Sequence, residues 1–145
     1  MDILSQENGL LAQGWKRHDM PGFMGLAGPL WSRREGETWA YGLLAGPQHL
    51  NPARVLHGGA LLTLMDHALS TVAWEAAGRR PCLTLQLDSH FLASVQEGDF
   101  VVVRAEVTHS TRSLLFLQGR ATLREAPVLQ AQAIMKAVAG ARQEP

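Results

Sequence analysis

The chain of 145 residues is 46% hydrophobic and carries 13 Lys and Arg against 13 Asp and Glu. This composition predicts one globular domain with a real core, and the balanced charge, without a basic run, excludes nucleic-acid-binding and membrane-surface classes. The single cysteine, Cys82, excludes an intrachain disulfide framework and a Cys-rich zinc site. The first residues lack the basic and apolar regions of a signal peptide, and no stretch approaches about 18 uninterrupted apolar residues, so we expect a soluble cytoplasmic protein.

The N-terminal third predicts short elements separated by glycine and proline. Residues 21–28 form a glycine-rich loop whose spacing does not match a phosphate-binding motif. Strands are predicted over residues 30–34 and 38–45, around the turn Glu35-Gly36-Glu37, and residues 46–56 are interrupted by Pro and Asn. Before the loop, residues 1–20 have the apolar spacing of a short amphipathic helix, which would use Leu4, Leu10, Leu11 and Trp15.

A long apolar helix follows and contains one carboxylate. Apolar periodicity predicts this helix from Gly59 to Ala77, ended by Gly78. Asp66 lies in it among Leu, Met, Val and Ala. An isolated buried charge costs several kcal/mol, so this carboxylate must be paired, hydrated in a cleft or partly protonated. Such a cost suggests a functional role.

The remainder of the chain predicts four strands with alternating apolar residues. They cover residues 83–91, 101–108, 115–124 and 129–137, and the short turns between them imply an antiparallel meander. A long apolar helix before such a meander gives an α+β layer in which the sheet covers the helix. The residues predicted to face one side are Leu83, Leu85, Leu87 and Phe91, then Val101, Val103, Ala105 and Val107, then Leu115, Leu117, Ala121 and Leu123, and last Leu129, Ala131, Ala133, Met135 and Ala137.

Four sequence features at fixed spacing carry a family resemblance. Asn51 is followed after five residues by His57-Gly58-Gly59, then by Leu64-Met65-Asp66, and later by the strand Thr84-Leu85-Gln86-Leu87-Asp88. Over roughly residues 40–138 the chain resembles the hotdog-fold acyl-CoA thioesterases of the phenylacetate-pathway (PaaI-like) type. The resemblance implies an antiparallel β-sheet wrapped around one long central helix, with subunits paired into a homodimer and dimers often into a homotetramer.

This resemblance also divides the chain. We expect residues 37–140 to form the hotdog thioesterase domain and residues 1–36 to be an N-terminal extension, a helix or loop with the first strand, within the same domain. Residues 141–145 are expected to be a tail. The segment of residues 15–31, rich in Trp, Phe, Met and Gly, is suited either to cap the acyl pocket or to widen the dimer contact.

The helix geometry and the resemblance agree on a shared site. Gly58 and Asp66 are eight positions apart, which separates them by about 12 Å along a helix, so they can serve one carbonyl only if they come from different subunits. A backbone N–H at the helix N-terminus, that of Gly58, is an oxyanion donor. The resemblance implies that Asp66 attacks the thioester or activates water, and both routes stay open. It assigns the positioning of water and substrate to Asn51, His57 and Thr84.

Coenzyme A contacts are implied only by the resemblance. It points to residues 91–96, to the turn at residues 109–114 and to the last strand, with the substrate-binding candidates Gly59, Phe91, Ser94, Arg112, Ser113 and Lys136. We expect no cofactor, because coenzyme A is part of the substrate and water is the second reactant. We also expect no metal, since the chain has no His-x-x-x-His spacing to accompany Asp66.

Two other functions remain open beside an acyl-CoA thioesterase. A hotdog dehydratase would act on a 3-hydroxyacyl thioester and release no thiol, and a non-catalytic acyl-CoA binder would be indifferent to Asp66→Asn. The Asn51, His57-Gly58-Gly59 and Asp66 pattern matches the hydrolases better.

Overall fold

A computed structural model describes residues 2–139 of the chain. The predicted tail at residues 141–145 therefore lies outside the described residues. Within residues 2–139 the elements in chain order are α1 (Ile3–Ala12), β1 (Lys16–His18), α2 (Phe23–Ala27), β2 (Leu30–Glu35), β3 (Thr38–Leu44), a 3-10 turn (Pro47–His49), α3 (Gly58–Ala76), β4 (Cys82–Phe91), β5 (Phe100–Ser110), β6 (Leu114–Leu123) and β7 (Ala126–Ala137).

The long helix α3 forms as its sequence predicts. It begins after the cap residue His57, whose ring nitrogen accepts from Gly59 N–H, and it ends where Gly78 adopts a left-handed backbone with φ of 68°. The Gly78 N–H donates to Glu75 O, and the Arg79 N–H donates to Trp74 O at 2.8 Å. These bonds satisfy the last carbonyls of the helix, so glycine ends it for a stereochemical reason.

The strands form one antiparallel sheet in the order β1-β2-β3-β5-β6-β7-β4. The expected meander is therefore wrong for β4, which pairs with β7 at the far edge instead of with β5. Of the four strands in the predicted meander, only β5, β6 and β7 follow one another as neighbours, and β5 pairs on its other side with β3. Alternation along a strand reports its exposed and buried faces and carries no information about its neighbours.

The core lies between α3 and one face of the sheet. The side of α3 that faces the sheet buries Leu61, Leu64, Met65, Ala68, Leu69 and Ala73. The predicted inward residues of β6 and β7 are buried against it, except Leu123, which is partly buried, and those of β5 are buried or partly buried. The extension adds β1 and β2 to this sheet, and α1 covers its outer face at a second cluster formed by Leu10, Trp15, Trp31, Ala40 and Leu44.

A bulge in β4 overturns the predicted faces of that strand. The register against β7 shifts between Thr84 and Gln86, so one extra residue is inserted there. Because strand faces alternate with period two, the insertion turns Thr84 toward the helix together with Leu87. Leu83 and Leu85, predicted to be inward, are instead 56% and 57% exposed.

The extension differs from its prediction in two elements. Residues 21–28 contain the short helix α2, where a loop is predicted, and β1 is an additional strand. In α1 only Leu10 is buried, and the buried Trp15 follows the helix instead of lying on its apolar face. Residues 21–28 contain three glycines and only five helical residues, which is too short a helix for apolar periodicity to reveal.

Candidate functional site

The first turn of α3 presents backbone donors. His57 Nδ1 accepts from the Gly59 N–H at 2.8 Å, and the His57 N–H donates to His49 O at 2.8 Å. Among residues 2–139 the Gly58 N–H donates to no protein acceptor. It stands at the positive end of the helix dipole, which suits it to bind a negatively charged oxygen.

Gly58 also permits a close contact. A β-carbon placed on it would lie 3.3 Å from the ring of Phe91, at the end of β4. Phe91 is half exposed and therefore forms one wall beside the helix N-terminus. Of the predicted site residues, Gly58, Gly59, His57 and Phe91 lie together at this end of α3.

Asp66 lies two turns farther along α3, beside β4. Its Oδ1 accepts a hydrogen bond of 2.8 Å from the Thr84 hydroxyl, which the bulge has turned toward the helix. The carboxylate is partly exposed in a cleft, and within residues 2–139 it forms no ion pair. The sequence argument that Asp66 must be paired, hydrated or protonated is thus met by a hydroxyl donor and access to solvent.

A cavity of about 380 Å³ opens at this carboxylate. Sequence reasoning missed two of its walls, Phe23 and Met24 of α2, and their only signal was the aromatic and Met content of residues 15–31. The complete lining is Phe23, Met24, Leu62, Thr63, Asp66, His67, Ser70 and Leu87. A larger concavity of about 940 Å³ lies on the outer face of the sheet and contains none of the predicted site residues.

His67 is a further residue that lines this cavity. Its ring packs edge-on against Tyr41, with centroids 6.3 Å apart. Burial lowers the pKa of His67, and the neighbouring Asp66 only partly opposes that shift. The imidazole is therefore neutral at pH 7 and adds no positive charge beside the carboxylate.

Asn51 closes a turn in the loop before α3. Its Oδ1 accepts from the Val55 N–H at 3.3 Å, and its backbone N–H donates to Val55 O at 2.8 Å. The Asn51 side chain thus stabilises the turn before α3 through its contact with Val55. The predicted positioning of water by Asn51 is a separate matter and stays a prediction.

The predicted coenzyme A residues divide between two ends of the molecule. Lys136 of β7 pairs with Leu114 and Leu83, which places it at the end of the sheet near the C-terminus of α3. The turn with Arg112 and Ser113 is at the same end, where Arg112 O lies 3.5 Å from an Arg80 nitrogen. Phe91 and the exposed Ser94 are at the opposite end of β4.

A single chain therefore does not bring all the predicted site residues together. Asp66 and Thr84 form one cluster, and the donors around Gly58 form another about 12 Å away along the helix axis. No group of three His, Cys, Asp or Glu side chains within residues 2–139 is arranged to hold a metal ion. No helix in the same range combines the length and apolar character needed to cross a membrane.

With this geometry in place, comparisons with known proteins identify the family. The family model of the thioesterase superfamily matches residues 53–128, which contain α3, β4, β5 and β6. The chain belongs to the thioesterase superfamily. A comparison with curated proteins found no match.

Several solved structures share the fold of the chain at low sequence identity. A Bacillus halodurans protein determined with CoA is 21% identical, with a TM-score of 0.74 over 95% of this chain and 91% of that one. Zebra fish thioesterase superfamily member 2 is 17% identical, with a TM-score of 0.73 over 95% and 99%. A hypothetical thioesterase with coenzyme A from Streptococcus pneumoniae is 19% identical, with a TM-score of 0.66 over 77% and 90%. The hotdog fold expected from the sequence is confirmed.

Proposed function

We propose that this superfamily member is an acyl-CoA thioesterase of the PaaI-like type, which hydrolyses a thioester to a free acid and coenzyme A. The observation that carries the proposal is the carboxylate of Asp66, held by Thr84 at the mouth of a largely apolar cavity. A cavity of this kind can receive an acyl chain and present its carbonyl to the carboxylate. The related proteins determined with coenzyme A support this class of ligand.

The proposed site is completed by a second copy of the chain. β4 is a ten-residue strand at the sheet edge, and Leu83 and Leu85 on it are exposed. A long apolar edge is a template for pairing with another strand. In the antiparallel register that sets Thr84 opposite Phe91 of the second copy, the bulge leaves Leu85 unpaired, so the two-fold axis falls at Asp88.

This register brings together the two clusters that one chain keeps apart. Phe91 packs against Gly58 of its own chain. When Phe91 of the second copy lies opposite Thr84 of the first, the N-terminus of α3 in the second copy therefore lies close to Asp66 of the first. The Gly58 N–H of one subunit then faces the carboxylate of the other. A two-fold axis makes two such sites in one homodimer, and pairing of dimers into a tetramer is a further expectation.

Two routes are compatible with this arrangement. In the first, Asp66 removes a proton from water, the hydroxide adds to the thioester carbonyl, and the resulting oxyanion accepts from the Gly58 N–H. Collapse expels the thiolate of coenzyme A, which takes up a proton. In the second, the carboxylate itself adds and expels the thiolate, and water then hydrolyses the acyl anhydride. Both routes need no cofactor or metal, and the location of the protein in the cytoplasm stays a prediction.

The first test measures release of free thiol from short, medium, long and aryl acyl-CoAs. We expect turnover by the native protein and a loss of at least about 100-fold in Asp66→Asn, because either route needs the carboxylate. The matched control is Asp19→Asn, since Asp19 is an exposed carboxylate that pairs with Arg17 and lies outside the β4 seam. No thiol release by the native protein would contradict the proposal and favour a dehydratase or an acyl-CoA binder.

The oxyanion donor can be removed with little change in the backbone. Gly58 is the first residue of α3, where proline is tolerated, and His57 has φ of −63° and ψ of 135°, as a residue before proline requires. Gly58→Pro lacks the N–H, and we expect it to lower kcat by about 100- to 1,000-fold. Gly58→Ala is the control, because it places a β-carbon against Phe91 and retains the N–H.

Mixing two inactive variants tests whether the site is shared. A dimer of one Gly58→Pro chain and one Asp66→Asn chain contains one site with both native groups. After refolding together, half of the dimers are mixed, so activity should return to about a quarter of the native value. Absence of any return, with mixed dimers demonstrated, would show that each site is built from one chain.

A further inference from the structure

A buried histidine outside the catalytic cluster joins two segments that border the proposed site. His49, at the end of the 3-10 turn, is 3% exposed. Its Nδ1 accepts from the Gly46 N–H at 2.9 Å, which leaves the proton on Nε2. Nε2–H then donates to Ala27 O, 2.7 Å away at the end of α2, with Gly28 O at 3.2 Å.

The backbone of the same residue holds the start of α3. His49 O accepts the His57 N–H at 2.8 Å, directly before Gly58. The Gly46 bond to the imidazole fixes the turn that carries this carbonyl. His49 thus contacts α2 through one ring nitrogen, while the other ring nitrogen and the carbonyl fix the approach to the oxyanion donor.

These two segments have different tasks in the proposed reaction. Phe23 and Met24 of α2 form a wall of the cavity at Asp66 of the same chain. Gly58, by contrast, serves the carboxylate of the other subunit, because it is about 12 Å from its own Asp66 along the helix. A contact between α2 and the helix cap therefore spans both sites of the dimer.

We propose that His49 is a positioning residue that fixes the acyl-cavity wall of one site and the oxyanion donor of the other. This inference rests on the proposed thioesterase function. A displacement of about 1 Å in either segment is enough to lower catalysis, since the reacting groups must meet in one geometry. Neither task requires His49 to contact the substrate.

Two conservative variants separate the two contacts. His49→Asn places its amide oxygen where Nδ1 stands, so it keeps an acceptor for Gly46 and loses the reach to Ala27. His49→Gln places an amide nitrogen where Nε2 stands, so it keeps the donor to Ala27 and loses the acceptor for Gly46. The first variant frees the cavity wall, and the second loosens the turn before Gly58.

The experiment compares kcat and KM for acetyl-CoA and octanoyl-CoA, because a longer acyl chain has more apolar surface to bury against the cavity wall. In His49→Asn we expect the KM for octanoyl-CoA to rise about tenfold relative to that for acetyl-CoA. In His49→Gln we expect kcat to fall about tenfold for both substrates, with the ratio of the two KM values near native. The control is Gln48→Asn, an exposed position in the same turn that should retain native constants.

Thermal unfolding of each variant distinguishes positioning from stability alone. If both His49 variants, correctly folded, show native kcat and KM for both substrates, the inference is overturned. It is also overturned if both variants lose activity only in proportion to the fraction unfolded. Absence of thiol release by the native protein is a different outcome, which contradicts the thioesterase proposal itself.

Discussion

Gly119 of β6 sets the distance between the sheet and α3. A β-carbon placed on this residue would lie 2.6 Å from Met65 Sδ and 3.3 Å from Leu69 Cδ2. Both contacting side chains are fully buried, so neither has open space to move into. We expect Gly119→Ala to lower the free energy of unfolding by about 1–3 kcal/mol, the usual cost of adding volume to a packed core.

A double-mutant cycle isolates the contact with Met65. Met65→Ala alone should cost about 2–5 kcal/mol, because it leaves a cavity in the core. In that background the added methyl of Gly119→Ala occupies vacated space, so its own cost should fall close to zero. The expected coupling is therefore about 1–3 kcal/mol in the stabilising direction.

Urea unfolding at one fixed protein concentration measures all four proteins, since the stability of a dimer depends on concentration. If the two substitutions add to within about 0.5 kcal/mol, Met65 does not fill the space above Gly119 and the packing argument is refuted. The result also bears on the site, because Met65 is adjacent to Asp66 in α3 and a displaced Met65 would move the carboxylate.

Two further predictions concern charge and helix capping. Hydrogen bonds from Arg104 and then Arg33 lower the pKa of Glu35 to about 2, so its stabilisation is complete above its ordinary pKa and is lost as pH falls toward 2. In urea unfolding, Glu35→Gln should lower the free energy of unfolding by about 1 kcal/mol at pH 7 and by little at pH 2. The control Glu37→Gln, at an exposed carboxylate, should change that free energy little at either pH. His57→Ala should cost about 1 kcal/mol by removing the α3 cap, and His57→Asn should retain it; equal losses would contradict the capping role.

Local patterns predicted the long helix and the strands well, because apolar spacing and helix caps depend only on residues that are close together in the sequence. The predicted helix over residues 59–77 is observed as Gly58–Ala76, and β5, β6 and β7 bury the predicted faces. The position of β4 beside β7 depends on contacts between distant segments, and its bulge has no local signal. Neither the position of β4 nor its bulge can be predicted from the alternation of apolar and polar residues.

The site was predicted in part for the same reason. The spacing of Asp66 and Thr84 carried a family resemblance, and the structure brings their side chains into contact. Phe23, Met24 and His67 were not predicted as cavity residues, because the cavity forms only where α2 lies beside α3 in the folded chain. The sequence left two roles open for residues 15–31, and the position of Phe23 and Met24 beside the cavity is consistent with the role at the acyl pocket.

The two edges of the sheet determine how far assembly can proceed. β4 offers ten residues for pairing, whereas β1 at the opposite edge offers three, including exposed Lys16 and Arg17. Arg17 forms an ion pair of 2.7 Å with Glu7 of α1, so charged side chains at this edge disfavour pairing with another strand. In the proposed homodimer, pairing along β4 would use the long edge of both copies and leave two short, charged edges. Such pairing would favour a closed oligomer over an open-ended fibre.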